Sequence, residues 1–196
     1  NLFHAVCDGE YYKNNGAFTV KDVESGRFTG ELTAALETTK SYDWYALYPY
    51  NSKIATPGNR EDGYTYIGHS KGLNQTGYDS MASLKETICP LYGVAKAVPS
   101  SETPSITMNH LTSVVAIKVT NTTEEPLTIT TASLTAEEDI VGSYYIDITK
   151  NPVVYKASSK DYVNNTAVVK VSDGTALAKD ESATLYLAIK PFTAKA

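Results

Sequence analysis

Few residues in this 196-residue chain are of types that do chemistry. Three are histidines (His4, His69 and His110), and two are cysteines (Cys7 and Cys89). A metal site or a catalytic triad needs histidines that converge with carboxylates, and no HxH, HExxH or GxSxG spacing occurs. His110 leads into a strongly apolar alternating stretch and reads as a structural residue, hydrogen-bonded near a sheet end. His69 lies in loop sequence and His4 near the N-terminus. The acidic clusters Glu61-Asp62, Glu124-Glu125 and Glu137-Glu138-Asp139 raise calcium binding or glycoside hydrolysis. A calcium loop alternates oxygen ligands around a glycine, which none of these does. Glycoside hydrolysis needs two carboxylates facing across a cleft, a relation no spacing here specifies. Solvated turn charge is the better reading, and neither a metal, a cofactor nor an enzymatic activity is expected.

The net charge is -5, and the 17 basic residues are scattered along the chain. Neutralising phosphates requires clustered Lys and Arg, so a nucleic-acid partner is not expected. With 42% apolar and 20% charged residues, the composition is that of a globular chain, long enough to bury a core. The 15 tyrosines stand against 4 Phe and 1 Trp. Tyr and Thr form strands and tolerate a wet face, which suits antiparallel sheets solvated on one side.

Alternation with period two dominates, so the elements that position these residues are strands. Residues 17–22 and 27–32 read as strands joined around Glu24-Ser25-Gly26, and residues 43–50 (DWYALYPY) as an aromatic strand. Residues 64–68 and 91–98 follow, separated by a short helix expected over 79–88 with Met81, Leu84 and Ile88 at helical spacing. The strongest stretch is 106–120, where Val115, Ile117 and Val119 alternate with Ala116 and Lys118 and define an inner face. A polar turn over 121–125 and a strand over 126–134, with Leu127 and Ile129 inward, complete what reads as a two-strand hairpin. Strands over 140–148, 153–155, 166–171 and 184–189 follow, with Ser172-Asp173-Gly174-Thr175 as a turn before the last. Many short strands without long helices predict an all-β sandwich. Residues 1–150 are expected to form one sandwich. Residues 151–196 hold about three further strands, too few to close a core alone; either they join the first sandwich or, the favoured expectation, they are the incomplete start of a second.

Four segments, taken together and in order, resemble the fimbrillin-like subunits of Bacteroidales surface fimbriae. They are Arg27-Phe28-Thr29-Gly30 followed by Trp44 to Tyr50; Ile106 to Asn121, where a His-Leu pair enters a long strand; Ile140-Val141-Gly142-Ser143-Tyr144-Tyr145; and Tyr186 to Phe192 with its Pro-Phe pair. The resemblance spans nearly the whole chain. It implies transthyretin-like sandwiches of Greek-key, immunoglobulin-like type, export as a lipoprotein, and assembly at the cell surface outside the outer membrane. It also implies a structural and adhesive role with other fimbrial subunits as partners in a head-to-tail polymer, together with host or bacterial surface ligands. Membrane attachment would be through a lipid anchor on the precursor. The sequence departs from the family in lacking a lipobox cysteine and a complete second domain.

Subunits of this family polymerise by strand exchange after processing near the N-terminus. Asn1 to Val6 is a short apolar run with no evident tight turn binding it to the next strand, so Leu2, Phe3, Ala5 and Val6 are the expected exchanged strand. In an exported chain, Cys7 and Cys89 permit a disulfide that would stabilise by about 4 kcal/mol in the chain-entropy model; two buried free thiols are the other reading. Asp79-Ser80-Met81 resembles the short pattern on which this bacterial group O-glycosylates exported proteins, which would place a sugar on Ser80. Alternatively, Asp79 simply caps the short helix. The competing function is a surface glycan-binding lipoprotein, for which Trp44 would be the stacking platform.

Overall fold

The computed structural model describes residues 2–7, 10–13, 18–49, 65–68 and 89–193. Among them the chain is all-β, built from several small antiparallel sheets, an arrangement consistent with a β-sandwich. The helix expected over 79–88 lies outside the described residues, as do Ser80 and His69. The strands fall into two compact units.

In the first unit, β1 (Leu2–Cys7), β2 (Glu10–Lys13), β5 (Ser41–Tyr48), β7 (Leu91–Pro99) and β8 (Asn109–His110) make one sheet in the order β2-β1-β5-β7-β8. β3 (Thr19–Asp22) and β4 (Arg27–Thr29) form a separate hairpin. Its turn is the one the sequence predicts. The Asp22 carboxylate accepts from the Glu24 amide at 3.1 Å and from the Ser25 hydroxyl, and Gly26 takes φ +64°. β5 is the aromatic strand, and Tyr42 and Trp44 pack with Leu32, Leu36, Ala95, Val98 and Ile106. Trp44 is 8% exposed, the core position its alternating context predicts.

In the second unit, β9 (Ser113–Thr120) pairs with β15 (Ser182–Ile189), and β10 (Leu127–Thr135) pairs with β14 (Thr166–Leu177). The hairpin expected between β9 and β10 does not form, because the two strands lie in different sheets. Both apolar faces instead contribute to one cluster: Val115 and Ile117 from β9, Ile129, Ala132 and Leu134 from β10, Ala167 and Val169 from β14, and Leu185 and Leu187 from β15. Burying each sheet's apolar face against the other removes both from water, which a single hairpin cannot do.

The inner-face reading holds along β9, where Val115, Ile117 and Val119 are half-buried and Ala116, Lys118 and Thr120 are exposed. It fails at Leu127, which is 45% exposed. The ladder shifts between Ile129 and Thr131, whose partners are Thr175 and Lys170, and the inward positions move from Ile129 to Ala132 and Leu134. The residues expected to form a turn at 172–175 are therefore a bulge inside β14, with Gly174 at φ +68°.

β11 (Val141–Asp147) begins in the second unit and ends in the first; it pairs with β6 (Thr65–Gly68), β12 (Val154–Ala157) and β13 (Val163–Asn164). Residue 150 is accordingly no boundary. The strands that follow it, β14 and β15, complete sheets begun by β10 and β9, while residues 145–156 belong with the first unit.

Candidate functional site

The N-terminal strand and its neighbours are the best-defined candidate. β1 pairs with β5 from Leu2↔Leu47 to Val6↔Asp43, and with β2 from His4↔Lys13 to Cys7↔Glu10. Leu2, Phe3, Ala5 and Val6 thus belong to an interior strand, tied to β2 by only the two residues between Cys7 and Glu10. An untethered N-terminal run is corrected to one arm of a hairpin. The signal for it is in the sequence: Asp8-Gly9 is among the strongest short-range hairpin dipeptides.

The β5 residues that receive Leu2 and Phe3, namely Leu47 and Ala46, also line a cavity of about 350 Å³. Its other walls are Val20 and Phe28 from the β3–β4 hairpin, Tyr48, Leu91 and Met108. Val20, Phe28 and Met108 are exposed large apolar side chains, so this cavity gathers water-facing hydrophobic surface beside a strand ladder. Such a cavity offers apolar contact and no charge for catalysis.

A second cluster sits where the β5–β7 ladder shifts between Tyr42 and Trp44. Lys96 Nζ donates to Asp43 Oδ2 at 2.8 Å and to the Tyr45 hydroxyl, and it lies 4.6 Å from the Tyr45 ring centre. Asp43 Oδ1 accepts from the Ala97 amide at 3.0 Å, holding Ala97 at φ 52°. Burial pushes the Asp43 carboxyl up, but the Lys96 ammonium and the Ala97 amide outweigh it and hold it below its ordinary value. Burial likewise pulls Lys96 down, and its bonds to Asp43 and Tyr45 more than reverse this, so its pKa is raised. A protonated lysine against an ionised carboxylate is a closed ion pair, neither nucleophile nor base at neutral pH. Its geometry serves the bulge.

The remaining residues singled out by sequence do not converge. His110 is exposed on the two-residue β8, which pairs with β7 at the end of the sheet; the long strand it was expected to lead into begins only at Ser113. Cys89 is a half-buried free thiol; burial pushes its pKa up and the Thr112 hydroxyl draws it part-way back, so it is a poor nucleophile. The side chains of Cys7 and His4 lie outside the described residues. Among the described residues no three His, Cys, Asp or Glu side chains gather as metal ligands. Trp44, the platform a glycan site would use, is inside the core.

The feature sequence reasoning missed is Asn121. It is fully buried at the connection between β9 and β10, and it binds the connection between β14 and β15. Its backbone amide donates to Glu181 O at 2.9 Å and its carbonyl accepts from the Asp180 amide at 2.7 Å. Its Nδ2 donates to Glu125 O at 2.9 Å and Leu177 O at 3.0 Å, while Oδ1 accepts from the Thr123 amide and hydroxyl at 2.9 and 2.7 Å. Both donors and both acceptor directions of the amide are used. Lys179 pairs with Glu124 over the same junction. No family model, curated protein or solved structure matches the chain.

Proposed function

We propose that this protein is a structural and adhesive subunit of bacterial surface fimbriae that polymerises by β-strand complementation and mediates cell adhesion. Its two units would be transthyretin-like, Greek-key sandwiches, exported to the outer membrane on a lipidated precursor, with other fimbrial subunits and surface ligands as partners. The observation that carries this reading is the ladder of β1 on β5 beside the apolar cavity. Because β2 is the outer strand and β1 follows it, residues 2–13 leave the sheet as a single hairpin, without any crossing of the chain. Their departure would uncover the β5 edge from Asp43 to Leu47, and an incoming strand would regain both the backbone bonds and the apolar contacts. Joining another strand of each subunit to the edge that the released hairpin leaves on the next gives an open head-to-tail filament.

The test is to insert a protease site within residues 14–17, cleave the folded chain, and examine it by electron microscopy. Filaments are expected after cleavage and not before. Folded monomers that persist after complete release of the hairpin would overturn strand exchange.

A further inference from the structure

One face of the first unit's sheet is filled at one end and hollow at the other. Along β5, Trp44, Ala46 and Tyr48 alternate onto the same side. Trp44, with Tyr42, packs under Leu32, Leu36 and Ile106. At the next position along that face the side chains shrink, because Ala46 lies opposite Gly93 of β7. A Cβ at Gly93 would meet Ile106 Cγ2 at 2.3 Å and Met108 Sδ at 3.0 Å, so glycine lets Ile106 and Met108 lie directly on the sheet. Beyond that pair, Tyr48 and Leu91 face each other and, with Met108, wall the cavity of about 350 Å³. Its opposite wall is the β3–β4 hairpin, where Val20 and Phe28 stand directly across from each other and remain 53% and 42% exposed. Among the described residues that hairpin pairs with no other strand. A two-stranded hairpin is marginal unless its apolar face packs against something.

We propose that this cavity binds the hydrocarbon chain of one free fatty acid of about a dozen carbons. The size fits: an apolar cavity of about 150 Å³ takes the six carbons of benzene, or about 25 Å³ for each, so about 350 Å³ suits a chain of about twelve to fourteen. The walls select the class. Apart from Tyr48 they are hydrocarbon and one thioether, so a sugar or a peptide backbone would give up its bonds to water and regain few. Met108 is an unbranched side chain that can follow the bends of an alkyl chain. The polar end has a place as well. The ladder sets His110 across from Leu91, on the face that Leu91 shares with the cavity, and leaves it exposed. Its imidazole N–H is a donor for a carboxylate kept in water at the sheet end. Val20 and Phe28 are the apolar surface that folding leaves wet and that the chain would cover. Binding needs neither release of residues 2–13 nor a second copy, and so does not rest on strand exchange.

The experiment titrates dodecanoate, below its micelle-forming concentration, into the intact, uncleaved chain by isothermal calorimetry. Wild type should bind one molecule per chain. Decanoate should bind about fifteenfold more weakly, two methylenes at about fourfold each. Val20→Asp puts a carboxylate into the wall at an exposed position and should weaken dodecanoate at least about tenfold, with an unchanged circular dichroism spectrum. His110→Ala should weaken decanoate and leave the neutral alcohol decanol bound as in wild type. Absence of binding, several molecules per chain, or equal affinity in Val20→Asp would overturn the proposal, and decanoate bound equally well by His110→Ala would overturn the placing of the carboxylate. Adsorption to phosphatidylcholine vesicles, or self-association in sedimentation, that Val20→Asp abolishes while wild type binds no dodecanoate would refute it in favour of a lipid surface or a second copy. If Val20→Asp fails to fold, wild type decides the matter alone. The ¹³C-methyl signal of Met108 should shift in step with the heat, and a Met108 signal unmoved at saturation would refute the site.

Discussion

Replacing Asn121 tests whether its amide, and not its volume, holds the two connections of the second unit together. Asn121→Ala removes four side-chain hydrogen bonds. Thr123 and Glu125 are exposed, so water replaces much of what their groups lose. Leu177 is 5% exposed, and its carbonyl is stranded. One stranded buried acceptor at about 1–3 kcal/mol, with partial losses at the other three bonds, gives about 3 kcal/mol in all. For a chain of this size that corresponds to a fall in Tm of about 6–12 °C.

Asn121→Asp is nearly isosteric and should be worse at pH 7. An oxygen takes the place of Nδ2 and faces two carbonyl oxygens at 2.9 and 3.0 Å, with a buried negative charge. The new carboxyl therefore has a folded pKa above its unfolded value near 4, and it becomes less harmful as falling pH protonates it and restores one donor. Calorimetry of wild type and both variants at pH 7 and pH 4.5 should give Tm in the order wild type, Ala, Asp at pH 7. The gap between Asp and Ala should narrow at pH 4.5. An Asp variant melting within about 1 °C of wild type at pH 7, or above the Ala variant, would refute the reasoning.

Three further outcomes follow from local geometry. Gly142 holds φ +126°, and a Cβ there would meet Tyr162 O at 2.1 Å and Val163 Cα at 2.6 Å. Gly142→Ala should therefore cost at least about 3 kcal/mol in urea unfolding, because backbone must move. Lys96→Met removes a partly exposed ion pair and should cost only about 0.5–1 kcal/mol at pH 7. Asp43 is depressed in the folded state, so its contribution is present above its unfolded pKa and lost as pH falls through the lower folded value; urea midpoints between pH 7 and pH 2 should decline less steeply in this variant. Burial, with Tyr92 nearby, raises Tyr155 to about 12. Its contribution is complete below the unfolded value near 10 and lost as pH rises toward 12, so Tyr155→Phe should soften alkaline unfolding and remove one late step from a phenolate titration.

The alternation of Val115, Ile117 and Val119 was legible as an inner face because side chains in a strand point to opposite sides by covalent geometry, whatever the strand pairs with. The turn at Asp22 to Gly26 was legible for a similar reason, since its hydrogen bonds close within four residues. Asp8-Gly9 was equally local and marks the β1–β2 hairpin. The partner of each strand is a different kind of fact. Residues 121–126 can close a hairpin or cross between sheets at similar local cost, and the choice belongs to β14 and β15, some forty to sixty residues further on. Their arrival lets the faces of β9 and β10 bury against each other, which is why the expected hairpin became two sheets and residue 150 ceased to be a boundary. The same event converts Asn121 from one polar letter in a turn into a fully bonded buried amide, because the carbonyls of Leu177 and Glu181 reach it only in the folded chain. Short-range chemistry determined where strands begin, bend and face; long-range burial of apolar surface decided which strands meet.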